Sequence, residues 1–378
     1  MTRTTRDKII DLLHTTRAAT LRSITNLSQA RETGSRVMAK MVKNNELKKS
    51  KRKVYKEQVV LRATDKLVRE SMNGYERAED LDKVATKELK KALPCSEIAS
   101  HFIRDGAEVY KGGEANDTTN LFVPHRLQSE FVTGESDYSM DFNQRLTAGL
   151  YITNEMLFTL LYIPQDATTF YYRSGSRDVY SFGIRKLPQE SSTILYLMSN
   201  TKHKDMLRRL IKNEEARGKE LSKFYNFFTQ KNDTYLIPEK CNGAYEMTKL
   251  ATTPSLNQEI KQDMSSRIKK LEKRGFSEVE DYFITENRCY IYMPVIKVAL
   301  IREIVKKLKK LNSETINIGL ITYEENIPLL LDYITNELED KRTVLSVINS
   351  LNHTRERKEK GHNKTYILEK GEIIETTG

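Results

Sequence analysis

Apolar residues recur at helical spacing through the first 45 positions. Ile9, Ile10, Leu12 and Leu13 supply the buried face of a helix over 5–15, which Thr5 can cap. Ala18, Ala19 and Thr20 break that pattern. Leu21, Ile24 and Leu27, three apart, predict a short second helix over 21–27. Ser28 starts a turn and can cap a third helix that reaches Asn45. On that helix Val37, Met38, Met41 and Val42 form the packing side. Thr33, Arg36, Lys40 and Lys43 fall at i, i+3, i+7 and i+10, one continuous polar face. Residues 47–62 then read as two short strands around a strongly basic tip.

Beyond this, Thr64 opens a helix through about Met72, which Asn73-Gly74 ends. A charged helical stretch over 75–93 is stopped by Pro94, and a helix over 96–104 follows. Lys111 to Asp117 is a polar, Gly-rich loop. From about 155 the texture changes. Strands are predicted at 156–163, 169–172, 179–184, 193–198, 234–238, 289–293 and 316–323, with a hairpin around Gly175. Helices are predicted at 205–228, 255–274, 295–311, 326–338 and 344–351. The strand, helix and strand across 289–323 make a β–α–β unit, whose natural product is a parallel sheet. The tail either closes with Tyr366, Ile367 and Leu368 as an edge strand or stays loose.

The expected architecture is α+β or α/β. An N-terminal winged helix (1–72) precedes a helical connector and loop (73–118), a C-terminal α/β domain (119–352) and a basic tail (353–378). The length of 378 residues requires more than one domain, and 16 Gly and 8 Pro are few enough that helices should dominate. No run of 18 apolar residues occurs, so no membrane helix is expected. Cys95, Cys241 and Cys289 are far apart and odd in number, which fits a reducing, cytoplasmic setting.

Charge sharpens the picture. The chain is +11 overall, and residues 1–62 alone hold 16 Lys and Arg against 5 Asp and Glu. The remaining residues therefore balance, and one sixth of the chain carries the whole excess. A concentrated positive field is what a phosphate-binding surface needs. If the third helix enters the major groove, Arg31, Thr33, Ser35, Arg36, Lys40 and Lys43 lie nearest base edges and flanking phosphates. Lys48, Lys49, Lys51, Arg52, Lys53 and Lys56 on the hairpin would grip the backbone or minor groove. The competing reading is plain: a solvated basic loop beside the exposed face of a packed helix.

The stretch Glu32-Thr33-Gly34-Ser35-Arg36-Val37-Met38-Ala39-Lys40-Met41-Val42-Lys43-Asn44-Asn45-Glu46-Leu47 resembles the recognition helix and wing start of prokaryotic winged-helix regulators. Asn45 stands where those proteins usually have Gly, and Asn tolerates the left-handed conformation. With Leu61-Arg62-Ala63-Thr64-Asp65-Lys66, and His125-Arg126-Leu127 ahead of an α/β domain, the chain resembles the replication-relaxation proteins of bacterial plasmids and other mobile elements. The resemblance implies DNA handling in plasmid replication and relaxation. That family's acidic strand motif is not visible here.

No catalytic constellation emerges. The 6 histidines include no His-x-His pair, His353-Thr354-Arg355 has the wrong spacing for a tyrosine recombinase, and clustered Cys/His ligands are absent. Asp178 lies on a plausible strand, but no Glu-x-Lys follows on the next. Tyr171-Tyr172-Arg173 could be nucleophile and phosphate clamp, or a strand-packing pair. The reading is therefore a sequence-specific double-stranded-DNA-binding protein of a plasmid or other mobile element, acting in replication, DNA transfer or transcription control. It requires no metal or cofactor and no membrane. Its α/β domain would homodimerise or recruit replication or transfer proteins. The alternatives are a DNA nickase or nuclease with an unrecognised active site, and a regulator sensing a small ligand.

Overall fold

In a computed structural model the chain divides into two compact units, Met1–Ser199 and Asn200–Gly378, and each mixes helices with strands. The structure describes residues 3–28, 30–51, 59–71, 86–113, 120–124, 127–128, 131, 147–153, 156–163 and 191–198 of the first unit. In the second it describes 204–220, 234–238, 244–253, 255–259, 261–262, 277–279, 282–284, 288–311, 314–347, 364–369 and 372–377.

The first unit opens with α1 (Thr5–Thr16), β1 (Ala19–Thr20), α2 (Leu21–Asn26), α3 (Arg31–Lys43), β2 (Leu47–Lys51), β3 (Val59–Ala63) and α4 (Asp65–Ser71). The three strands form an antiparallel sheet in the order β1-β3-β2, with Ala19 opposite Leu61 and Lys51 opposite Val59. The cap of α1 is Thr4 rather than Thr5. Its hydroxyl accepts from the Asp7 N–H at 3.2 Å while the Asp7 carboxylate accepts from the Thr4 N–H at 3.0 Å. The box needs an acceptor side chain three residues on, which Thr4 has in Asp7 and Thr5, facing Lys8, lacks. On α2, Ile24 and Leu27 are buried but Leu21 is 39% exposed. A strict three-residue spacing drifts about 60° per step around a helix, so three such residues cannot share one contact. Ser28 does not cap α3. Its hydroxyl donates to the Ala30 carbonyl at 2.6 Å, and the helix starts after Ala30.

Next comes α5 (Thr86–Arg104), a single helix running through Pro94. Proline in a helix interior costs about 3 kcal/mol. Buried Leu89, Leu93, Ile98, Phe102 and Ile103 lie on both sides of it. At about 1.5–3 kcal/mol for each large side chain they outweigh that cost and hold the two halves together. Leu89, Ala92 and Leu93 close a core cluster with Ala18 and Val60 of the first helices and sheet. Phe102 faces the other way, its ring 5.6 Å from Phe122 and 4.4 Å from Tyr151. Those rings belong to a sheet of β4 (Glu108–Val109), β5 (Asn120–Pro124), β6 (Thr147–Thr153), β7 (Met156–Ile163) and β8 (Ser191–Met198), ordered β8-β7-β6-β5-β4. The strands expected at 169–172 and 179–184 lie outside the described residues.

The second unit contains α6 (Met206–Glu220), β9 (Thr234–Pro238), α7 (Ala244–Thr252), β10 (Ser277–Val279), β11 (Tyr282–Ile284), β12 (Arg288–Tyr292), β13 (Ile296–Lys297), α8 (Val298–Lys309), β14 (Thr315–Ile321), α9 (Ile327–Glu337), β15 (Arg342–Val347), β16 (Lys364–Glu369) and β17 (Glu372–Thr377). Its main sheet has the order β10-β11-β12-β14-β15-β16-β17. The expected β–α–β unit is present: β12 pairs parallel to β14, which pairs parallel to β15. Gly319 is required there, because a Cβ would lie 2.5 Å from the ring of Tyr290 on the neighbouring strand. The Asn326 amide donates to the Pro294 carbonyl at 2.9 Å, and Thr322 donates to Met293 at 2.6 Å, tying together the turns after β12 and β14. Two expectations fail. The helix predicted over 344–351 begins as strand β15, where buried Thr343 and Leu345 alternate with half-buried Val344 and Ser346, a period of two. Tyr366 and Leu368 are interior to the sheet, since β17 takes the edge beyond β16.

Candidate nucleic-acid interface

The approach of α2 to α3 depends on a missing side chain. A Cβ on Gly34 would lie 2.8 Å from the Ser28 hydroxyl and 3.1 Å from the Thr25 Cα. At the far end, Asn45 takes φ +59°, the left-handed conformation anticipated for it. The Glu46 N–H donates to the Met41 carbonyl at 2.9 Å and the Asn45 N–H to Val42 at 3.1 Å, which closes the last turn as a Schellman motif. The Thr64 hydroxyl then donates to the Asn45 carbonyl at 2.7 Å, and buried Glu46 accepts from Arg6 at 3.2 Å. The end of α3 is thus tied to both α1 and the end of β3.

With both ends held, α3 turns Thr33, Arg36, Lys40 and Lys43 to solvent, while Ser35 is half-buried and Met41 is buried. Arg31 is the first residue of the helix, and its side chain lies outside what is described. Lys48 and Lys49 are exposed on β2, an edge strand. Lys51 ends β2 and only its backbone is described; Arg52, Lys53 and Lys56 fall outside the described residues. The structure therefore brings the α3 set and the first two hairpin lysines into one module.

Two cations not anticipated join them. Lys66 and Arg69 are exposed on α4, and Lys66 donates to the Asn44 carbonyl at 3.2 Å, beside the end of α3. Their three-residue spacing was the available signal. Arg36 meets Glu32 at 3.6 Å, an exposed pair one turn apart. Lys40, Lys43, Lys48 and Lys49 form no ion pair with another described residue. An exposed lysine without a carboxylate partner presents its charge to any anion that approaches.

Behind this face lies a buried polar seam. Thr20 and Ser23 form a capping box on α2, and Ser23 shares a hydrogen bond of 2.9 Å with Ser96 of α5. The Thr20 hydroxyl donates to the Glu97 carboxylate at 3.2 Å. One turn further along α5, burial pushes the His101 imidazole down to about 3, helped by the nearby Arg22 and Arg104 charges, so it is neutral at ordinary pH. Sequence periodicity gave no sign of this seam, because its two sides are more than 70 residues apart.

In the second unit, Cys289 is buried and its thiol is pushed up to about 12, too high for a nucleophile near neutral pH. Asp178 and Tyr171-Tyr172-Arg173 lie outside the described residues. Among the described residues no group of three or more His, Cys, Asp or Glu could hold a metal, and no helix is long and apolar enough to cross a membrane. Comparisons with protein families, with curated proteins and with solved structures found no match.

Proposed function

We propose that this chain is a sequence-specific double-stranded-DNA-binding protein whose first helices and hairpin act as a winged helix. One observation carries the reading. The order α1-β1-α2-α3-β2-β3, with its sheet ordered β1-β3-β2, leaves Thr33, Arg36, Lys40 and Lys43 exposed together on α3. A protruding helix with a cationic face fits the major groove, and a basic hairpin beside it meets the flanking phosphates. The net charge of residues 1–62 supports the same partner. Lys66 and Arg69 extend the positive surface past the end of α3.

The second unit serves assembly, as a homodimer or as a platform for replication or transfer proteins of a plasmid or similar element. A dimer would place two reading helices on half-sites about one helical turn apart. Titrating the full chain into labelled duplex fragments at several salt concentrations tests the proposal. Five phosphate contacts would produce a slope of log affinity against log salt of roughly −4 to −5. A slope near zero, or no binding, rejects it.

A further inference from the structure

We propose that Glu32 is a specificity-determining residue that reads a cytosine next to the base read by Arg36, an inference that rests on the duplex-DNA reading above. The argument begins with the scarcity of acid. Residues 1–62 hold 5 carboxylates, and three have evident structural work. Asp7 completes the capping box of α1. Asp11 is buried between Arg3 at 2.8 Å and Lys111 at 3.0 Å. Glu46 is buried and pairs with Arg6 at 3.2 Å. Glu57 lies outside the described residues. Glu32 differs from the other three: its side chain is 84% exposed, and its ion partner, 3.6 Å away, is the equally exposed Arg36. Pairs of this kind contribute little to stability.

Glu32 also stands in the wrong place for a bystander. It lies in the first turn of α3, beside Thr33 and one turn before Arg36. The N-terminal residues of a reading helix are those that reach base edges. A carboxylate carried into a groove between phosphates weakens binding to every duplex unless a donor receives it. Cytosine offers that donor in the major groove, its N4 amine, whereas guanine O6 and N7 accept the two N–H groups of an arginine. Residues four apart rise about 6 Å along a helix, so Glu32 and Arg36 reach bases one or two steps apart. Their contact at 3.6 Å places both side chains on the same exposed patch of α3. A duplex with cytosine at the right step satisfies the carboxylate; guanine and thymine meet it with acceptors, and adenine sets the N7 acceptor beside its N6 amine. The residue thus converts general affinity into discrimination.

A structural rival exists. The N-terminus of α3 has no side-chain cap, and an acid in the first turn complements the helix dipole. Selection and titration separate the two. The full-length wild type, Glu32→Gln and Glu32→Ala are each used to enrich a duplex pool with a randomised core, and thermal melting is recorded in parallel. The wild type should converge on a motif with cytosine within one or two steps of guanine, and replacing that cytosine should weaken binding about tenfold. Glu32→Gln should move the preference toward adenine, whose N6 and N7 match an amide, and Glu32→Ala should lose preference at that position alone. Both variants should bind random duplex at least as tightly as the wild type. The proposal is overturned if the variants enrich the wild-type motif, or if they melt earlier and bind all duplexes more weakly in proportion. Either result leaves the duplex-DNA reading standing. A wild type that binds no duplex removes both.

Discussion

The Ser28 hydroxyl occupies the space that a side chain on Gly34 would need, with 2.8 Å between that oxygen and the position of the missing Cβ. Glycine in a helix normally destabilises by about 1 kcal/mol relative to alanine. Here it permits close contact between α2 and α3. Gly34→Val should therefore destabilise the first unit by about 1–3 kcal/mol and tilt α3. Calorimetry would register a lower Tm, and duplex affinity should fall with it. Gly34→Ala gains helix propensity but meets the same oxygen. Combining it with Ser28→Ala should recover part of the lost Tm, since the Thr25 Cα, 3.1 Å from the same position, remains, whereas a double variant no better than Gly34→Ala would assign the strain to Thr25.

The part played by α5 predicts how the chain can be divided. A fragment ending at Ser71 lacks Leu89 and Leu93, which close the core over Ala18 and Val60. Their burial is worth roughly 3–6 kcal/mol, comparable with the whole stability of a small domain. Circular dichroism of that fragment should show no cooperative melt. A fragment covering Met1–Ser199 should melt cooperatively and retain duplex binding.

Base reading and backbone gripping should separate by mutation. Arg36→Ala should weaken binding to the selected motif by about 1–3 kcal/mol and to random duplex far less. Neutralising Lys48 and Lys49 together should weaken both nearly equally and flatten the salt slope by roughly two units. Fluorescence anisotropy on the two duplexes distinguishes the outcomes. Loss of discrimination in the lysine variant, with none in Arg36→Ala, would make the hairpin the reading element.

His101 makes the first unit acid-sensitive. Its folded pKa of about 3 lies below the ordinary 6.5, so the unfolded chain takes up the proton first. The stabilising contribution is complete above about pH 6.5 and is lost progressively as pH falls toward 3. Between about pH 6.5 and 5, above the usual carboxylate range, the Tm of the wild type should fall faster than that of His101→Leu. Parallel slopes would mean that the imidazole is not desolvated.

Much of the first module is visible in its sequence for physical reasons. A period near 3.6 marks α1 and α3, the apolar run Val59-Val60-Leu61 behind a basic stretch marks the hairpin, and Asn45 announces its own left-handed turn. β1 is two residues long, too short for any period to register. Residue type alone makes Thr4 and Thr5 equal caps, and Asp7, three residues beyond Thr4, decides for Thr4. Local propensity makes Pro94 a stop, whereas the burial that overrides it depends on residues distant in sequence. Val344 and Leu345 suit helix or strand equally by hydrophobicity, and their parallel pairing with Asn317 and Ile318 decides for strand. On α3, spacing alone places Thr33, Arg36, Lys40 and Lys43 on one face, and all four are exposed. Lys66 becomes relevant only through its bond to Asn44, made 22 positions away.

Arg3 donates to the Gly106 and Ala107 carbonyls, across 103 and 104 positions of sequence. During synthesis this clasp cannot close when β3 leaves the ribosome; it waits for the turn after α5. At the usual pace of translation, on the order of ten residues per second, the nascent α1–β3 segment spends several seconds exposed without its last helix. Throughout that interval the most positively charged part of the chain is already outside the tunnel, next to ribosomal RNA.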